Sequence, residues 1–385
     1  MKIPYGKQEI TDEDLKCVLE TLKSDWITQG PAINKFENAV KEKCSAKYAF
    51  ATNSATSALH IACLSLNLKK DDIIWTCPNT FVASANCAIY CGAKVDFVDI
   101  NPDTFNMCTS KLEEKLILAR KTNKLPKAVI PVHFSGLSCD MEEIYNLSRE
   151  YGFKIIEDAS HAIGGTYKKF PVGSCKFSDI TIFSFHPVKI ITTGEGGMAL
   201  TNNKEIAQNL ELFRTHGITR DSNEMIGENE GPWFYQQKVL GLNYRITDFQ
   251  AALGISQHKR LDEYVQKRNS LAEKYKIKLK NLPVKFQEIK KDRISAYHLF
   301  VINLKDKKNI LNRKKIFNHL RKAGIGVNVH YIPVHYHPFY NDMGFSRGDF
   351  PFSESYYESA ISLPLFPGLT GDEQDYVVEK LTEAL

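Results

Sequence analysis

The sequence predicts an α/β protein built on a mostly parallel seven-stranded sheet, with a smaller C-terminal α+β domain. Three observations lead there. Short apolar, often β-branched runs alternate with helical patterns through the first 250 residues, as in a sheet covered on both faces. Near residue 246 the period changes to one long helical stretch. The chain's 385 residues also exceed the usual size of one domain.

The strand runs are residues 48–51, 72–76, 95–100, 128–132, 154–158, 179–185 and 197–201. Between them the clearest helices are 57–66, 79–90 and 140–151. Ligands of such sheets gather beyond the carboxyl ends of the strands, which brings Asp158, Ser184 and the turn Asn53–Thr56 to one edge. A single helix over about 247–276 bridges the large domain, 1–250, to the small one, 251–385. Beyond the bridge, 297–304 reads as a strand, 314–323 as an amphipathic helix and 326–332 as a strand. The stretch 221–237, with Gly227, Gly231, Pro232 and Trp233, has no period and reads as an ordered loop or lid.

Hydrophobic residues at 43% and charged residues at 25% are ordinary globular values. The formal charge of +5 is spread over isolated pairs such as Lys69-Lys70 and Lys290-Lys291. Nucleic-acid binding calls for a dense basic stripe or a recognisable module, so it is not expected. No apolar run reaches membrane-spanning length, and the amino terminus lacks the apolar core of a signal peptide. Nine cysteines, an odd number without a CxxC pair, read as free thiols, so a cytoplasmic location is expected.

Three motifs carry chemistry. One apolar run ends in Glu157-Asp158-Ala159-Ser160-His161, and another ends in Phe183-Ser184-Phe185-His186-Pro187-Val188-Lys189 before the turn Thr192–Gly197. A carboxylate at one strand end and a lysine past another are what pyridoxal phosphate needs: the acid pairs the ring nitrogen and the amine bonds the aldehyde carbon. Asn53-Ser54-Ala55-Thr56-Ser57 reads as a capped helix start whose free N–H groups suit a phosphate. Singly, each has a bland explanation: a surface lysine, a turn carboxylate, a plain helix cap. Their order and spacing favour the cofactor site. His330, His335 and His337 crowd one extended segment, but it lacks a Cys or carboxylate at helical spacing, so no metal site is expected.

With these motifs in place, NSATSALHIA, EDASHA, FSFHPVKIITTGEGG and GLNYRITDFQAALG resemble the DegT-like family of pyridoxal-phosphate-dependent sugar aminotransferases, which have the fold-type I architecture. The resemblance covers nearly the whole chain. It implies Lys189 as the lysine bonded to the cofactor and as the proton shuttle, Asp158 as partner of the ring nitrogen, and His161 beside the phenolic oxygen. It implies Phe81 stacked on the ring, although a core aromatic is the plain alternative. Ala55, Thr56 and Ser184 become phosphate contacts, and Asn243 one supplied by the neighbouring subunit of a homodimer. Substrate contacts are implied for Tyr5, Asp25, Trp26, Ile27, Thr28, Ser184, Asn243, Val329, His330, Tyr331 and Ile332. The nearest members point to transfer from L-glutamate to C4 of a UDP-linked 4-keto-6-deoxy-N-acetylhexosamine. The product would be UDP-4-amino-4,6-dideoxy-N-acetyl-beta-L-altrosamine, for pseudaminic acid synthesis. Three alternatives stay open: another UDP- or dTDP-linked keto sugar, the family's sugar dehydratases, and a non-catalytic regulatory relative. The dehydratases carry His in place of the lysine, so Lys189 argues against them.

Overall fold

In the computed structural model, which describes residues 2–385, the seven predicted strands pair into one sheet. Two helices come first, α1 (Asp12–Leu22) and α2 (Pro31–Cys44). The sheet's strands are β1 (Tyr48–Thr52), β2 (Ile73–Thr76), β3 (Lys94–Phe97), β4 (Ala128–Ile130), β5 (Lys154–Asp158), β6 (Ile180–Ser184) and β7 (Gly197–Thr201), in the spatial order β1-β7-β6-β5-β4-β2-β3. Only β7 runs against the others. Between strands lie α3 (Ala55–Ser65), α4 (Ala83–Tyr90), α5 (Thr109–Lys121) and α6 (Met141–Tyr151), and α7 (Lys204–Arg214) follows β7.

Alternation along each strand sorts side chains between two cores. Ile74, Ala128, Ile130, Ile156, Ile182 and Ala199 face α3, α4 and α7. Trp75, Val129 and Ile155 face the opposite side, as do Phe183 and Met198. The same alternation decides the fate of two neighbouring acids. Glu157 points to the second face, where it meets His133 at 2.7 Å and accepts from Thr181 Oγ1 at 3.1 Å and from Ser178. Asp158 points toward α3 and α4.

The expected bridging helix is two helices, α8 (Asp248–His258) and α9 (Leu261–Leu279). The break at Lys259-Arg260 has a visible cause. It lets Gln257 Nε2 reach Asp14 Oδ2 at 2.8 Å while Arg260 Nη2 donates to both Asp14 oxygens at 2.7 Å. Asp14 is wholly buried, and a buried carboxylate needs such partners.

The C-terminal sheet is antiparallel: β8 (Val284–Phe286), β9 (Phe300–Leu304) and β10 (Ala360–Leu363), with β9 central. Helices α10 (Arg313–Lys322), α11 (Pro351–Ser359) and α12 (Gly371–Ala384) complete this part. The expected strand at 326–332 is absent. Ile3 bridges Ile325 and accepts from Gly326, leaving the segment one isolated bridge, Asn328 with Ser362. The stretch then crosses to the large sheet's side, where Val334, Tyr340 and Phe350 join the core beneath α3 and α4.

Candidate active site

Strand pairing fixes Asp158 before its side chain does anything. Its N–H donates to Pro131 O at 2.9 Å, its carbonyl accepts from His133 N at 3.0 Å, and Ala159 N donates to Ile182 O on β6. Its side chain then accepts from Ser84 Oγ of α4 at 2.6 Å and from Ser160 N at 3.1 Å. A carboxylate held on two sides in this way is a preorganised partner for a cationic nitrogen.

Lys189 sits on a loop that closes on itself. Phe185 N donates to Gly196 O at 2.9 Å, Thr193 N donates to Phe185 O at 3.0 Å, and the Thr192 hydroxyl shares that carbonyl at 2.9 Å. Loss of water around the amine lowers its pKa from the ordinary lysine range to about 8, with Asp158 pulling weakly the other way. A lysine so placed is neutral over part of the working pH range and can act as nucleophile and base.

The third part is the start of α3. Ser54 caps it by accepting from Ser57 N at 3.1 Å, and Ser57 Oγ reaches Asn53 Oδ1 at 2.5 Å. The N–H groups of Ala55 and Thr56 then have no intrahelical acceptor and lie at the positive end of the helix dipole. Gly197 permits this placement. A Cβ there would come within 2.5 Å of Ser54 O and Ala55 N, so any side chain would push the helix start off the strand.

A cavity of about 400 Å³ joins these parts; it is lined by Ala55, Thr56, Phe81, Asp158, His161, Ser184 and Lys189 together with Tyr5, His330 and Tyr331. Lysine, carboxylate and helix-start phosphate cradle in one cavity fit pyridoxal phosphate, and Phe81, 59% exposed, offers its ring on the rim. His161 is locked: Ser135 N donates to Nδ1 at 3.3 Å, and Nε2 lies 3.0 Å from the Tyr331 hydroxyl. Burial, then Lys189 and His330, hold the His161 pKa well below the usual imidazole value, so the ring is neutral. With Nδ1 accepting, its proton sits on Nε2 and is donated to Tyr331. Burial likewise takes His330 to about 3, and its Nδ1 pairs with Ser362 Oγ at 2.8 Å.

Other residues named from the sequence lie elsewhere. Asp25, Trp26, Ile27 and Thr28 are exposed, and Trp26 lines a separate cleft of about 1000 Å³ with Arg220 and Arg245. Asn243 is exposed and bridges Thr215. Val329 and Ile332 flank the His330-Tyr331 pair without lining the cavity, and Ile332 is 45% exposed. The neighbouring imidazole of His335 turns instead to Glu354 at 3.0 Å. Sequence reasoning missed Ser84, Ser135, His186, Glu195 and His298. Of these, only His186 and Glu195 sat inside quoted motifs; the rest depend on long-range packing.

The DegT/DnrJ/EryC1/StrS aminotransferase family model matches residues 8–382. The UDP-4-amino-4,6-dideoxy-N-acetyl-beta-L-altrosamine transaminase of Campylobacter jejuni is 36% identical over 389 residues, covering 100% of this chain and 97% of that one. Among solved structures, PseC of Helicobacter pylori, an aminotransferase involved in the biosynthesis of pseudoaminic acid, superposes with a TM-score of 0.90 at 31% identity, covering 100% and 99%. The PLP form of the putative sugar aminotransferase Spr1654 from Streptococcus pneumoniae gives 0.89 at 27%, covering 100% of each chain. A chain with this cavity and matches of this length belongs to the DegT/DnrJ/EryC1/StrS family, and it is a pyridoxal-phosphate-dependent sugar aminotransferase.

Proposed function

We propose that this enzyme moves the amino group of L-glutamate to C4 of a UDP-linked 4-keto-6-deoxy-N-acetylhexosamine, giving UDP-4-amino-4,6-dideoxy-N-acetyl-beta-L-altrosamine for pseudaminic acid synthesis. The observation that carries this reading is the end-to-end likeness to a transaminase named for that product and to PseC.

Bound pyridoxal phosphate supplies an electron sink for the carbanion formed when a proton leaves the donor's α-carbon. The Lys189 amine takes that proton in its neutral form and returns one to the sugar's C4 in the second half-reaction. Asp158, steadied by Ser84, holds the proton on the ring nitrogen. Ala55, Thr56 and Ser184 hold the phosphate, Phe81 covers the ring, and His161 with Tyr331 fixes the phenolic side. Tyr5, His330 and Tyr331 receive the sugar within the cavity.

We assign Asp25, Trp26, Ile27, Thr28, Asn243, Val329 and Ile332 to substrate or cofactor contacts completed across a homodimer. An exposed stripe of Leu15, Leu19 and Leu22 along α1, with Ile10 just ahead of the helix, supports that assembly, since a lone chain leaves it facing water. All nine cysteines are free, which suits a cytoplasmic location, and no described helix is long and apolar enough to cross a membrane.

The test uses glutamate labelled with 15N at the amine, offered with the UDP-linked 4-keto sugar or with a dTDP-linked hexulose. Mass spectrometry should find the label in the UDP product. Label only in the dTDP product would move the enzyme to another sugar.

A further inference from the structure

One histidine of the cavity wall, with an arginine behind it, is used by none of these roles. His298 lines the cavity and is only 4% exposed, yet neither ring nitrogen has a hydrogen-bond partner among the described residues, and its Nδ1 is sealed from solvent. Its ring lies 4.4 Å from that of His161, centre to centre. Behind it stands Arg268 of α9, 1% exposed, whose Nη1 donates to the carbonyls of Tyr297 at 3.2 Å, His298 at 3.3 Å and Leu365 at 3.0 Å. Arg268 forms no ion pair with any described carboxylate, and its Nε is unpartnered.

Both features are costly in isolation. A buried unpaired cation and a buried unsatisfied imidazole each lower stability, and such groups in folded proteins are ordinarily matched by a partner. One incoming group satisfies both, an anion that accepts from His298 and supplies the countercharge to Arg268. A sugar hydroxyl offers the hydrogen bond without the charge. The cofactor's phosphate, on the reading proposed above, is met by the α3 start and Ser184. Among the described residues no arginine lines the cavity, and the Lys189 amine is engaged in the chemistry, so the amino donor's carboxylate meets no free cation in the lining itself.

We infer that His298, backed by the charge of Arg268, receives a carboxylate of the amino donor. This rests on the donor being an amino acid, as proposed above. His298 contacts the ligand; Arg268 acts through the backbone it clamps and through its field. The charged and titratable groups facing His298 are His161, Lys189, His330 and Arg268, all basic. Burial and these neighbours hold its pKa well below normal, so it meets the carboxylate as a neutral N–H donor unless the ligand brings a proton.

The experiment measures the two half-reactions separately in the holoenzyme, wild type against His298→Asn and His298→Gln. Apparent affinity for glutamate should fall about 10- to 150-fold, the loss of a hydrogen bond to a charged group, while that for the UDP-sugar stays within about twofold. Equal weakening of both substrates, or no weakening of glutamate, overturns the inference. Calorimetry with glutarate, a dicarboxylate that cannot react, separates this from the donor's identity: binding to wild type lost in both variants supports His298, and equal binding overturns it. If the variants fail to fold, 15N-histidine spectra of the wild type decide. The His298 resonances should move on glutarate addition, and unmoved resonances contradict the assignment.

Discussion

Lys189 and Asp158 lie in one cavity, but they reach it in opposite ways. Asp158 is set by ladder hydrogen bonds on both flanks, whereas Lys189 hangs on a loop closed by Thr192, Thr193 and Gly196. Replacing Lys189 by Ala should abolish turnover while leaving the fold intact; appreciable remaining transamination would refute its role. The pH behaviour has a fixed sign. The lysine's pKa is lowered, to about 8, and the neutral amine is the active form. The rate at which the cofactor-free enzyme bonds pyridoxal phosphate should therefore rise with pH through about 8 and level off above, as stopped-flow absorbance would read. Ser84→Ala removes the 2.6 Å hydrogen bond to Asp158 and should lower kcat about 10-fold or more, in keeping with a hydrogen bond to a charged group.

At the level of elements, the sheet was readable because its strands are short apolar runs separated by strongly patterned helices. All seven are found close to their predicted places. Two expectations failed where distant partners intervened: Asp14 on α1 draws Gln257 and Arg260 and splits the bridging helix, and the start of 326–332 is held by isolated bridges, Ile3 with Ile325 and Asn328 with Ser362. No local pattern encodes either. The Gly-rich turn before β7 was legible as a turn, but the reason for Gly197, the start of α3 pressed against it, needed the fold. Gly197→Ala should weaken pyridoxal phosphate binding and cost about 1–3 kcal/mol of stability, since a Cβ overpacks that contact. A second element-level test concerns Arg214 on α7, which joins Glu37 of α2 at 2.5 Å and the Ala51 carbonyl of β1 at 2.8 Å, with the Arg–Glu pair largely buried. Arg214→Met leaves Glu37 buried and unpaired and should destabilise the protein by about 3–5 kcal/mol in denaturant unfolding.

Across the whole molecule, the catalytic half of the site was legible and the receptor half was not. Lys189, Asp158, His161 and the α3 start occupy the carboxyl edge of a sheet that periodicity predicts. His298 and Arg268 come from the C-terminal part; beside His298 the chain is tied to the Phe134–Gly136 turn, where Leu299 N donates to Ser135 O and Ser135 Oγ donates to Leu299 O. Asn243 and the 25–28 segment stand outside the cavity of their own chain, which fits a site shared between subunits. On the proposed homodimer, mixing Lys189→Ala with Asn243→Ala should give up to about a quarter of wild-type activity, because half of such twofold dimers would be hybrids with one intact site each. No recovery after verified subunit exchange would place Asn243 outside the neighbour's site.

On the proposed chemistry, Lys189 carries a pyridoxal phosphate that cycles between an amino donor and a keto sugar. The most direct test is the visible absorbance of the purified enzyme with pyridoxal phosphate, followed as glutamate and then the UDP-linked 4-keto sugar are added. The wild type should show a band that glutamate removes and the sugar restores, with no lysine-dependent band in Lys189→Ala. Absence of that band in the wild type, or its persistence in the variant, would rule out Lys189 as the residue that bonds the cofactor.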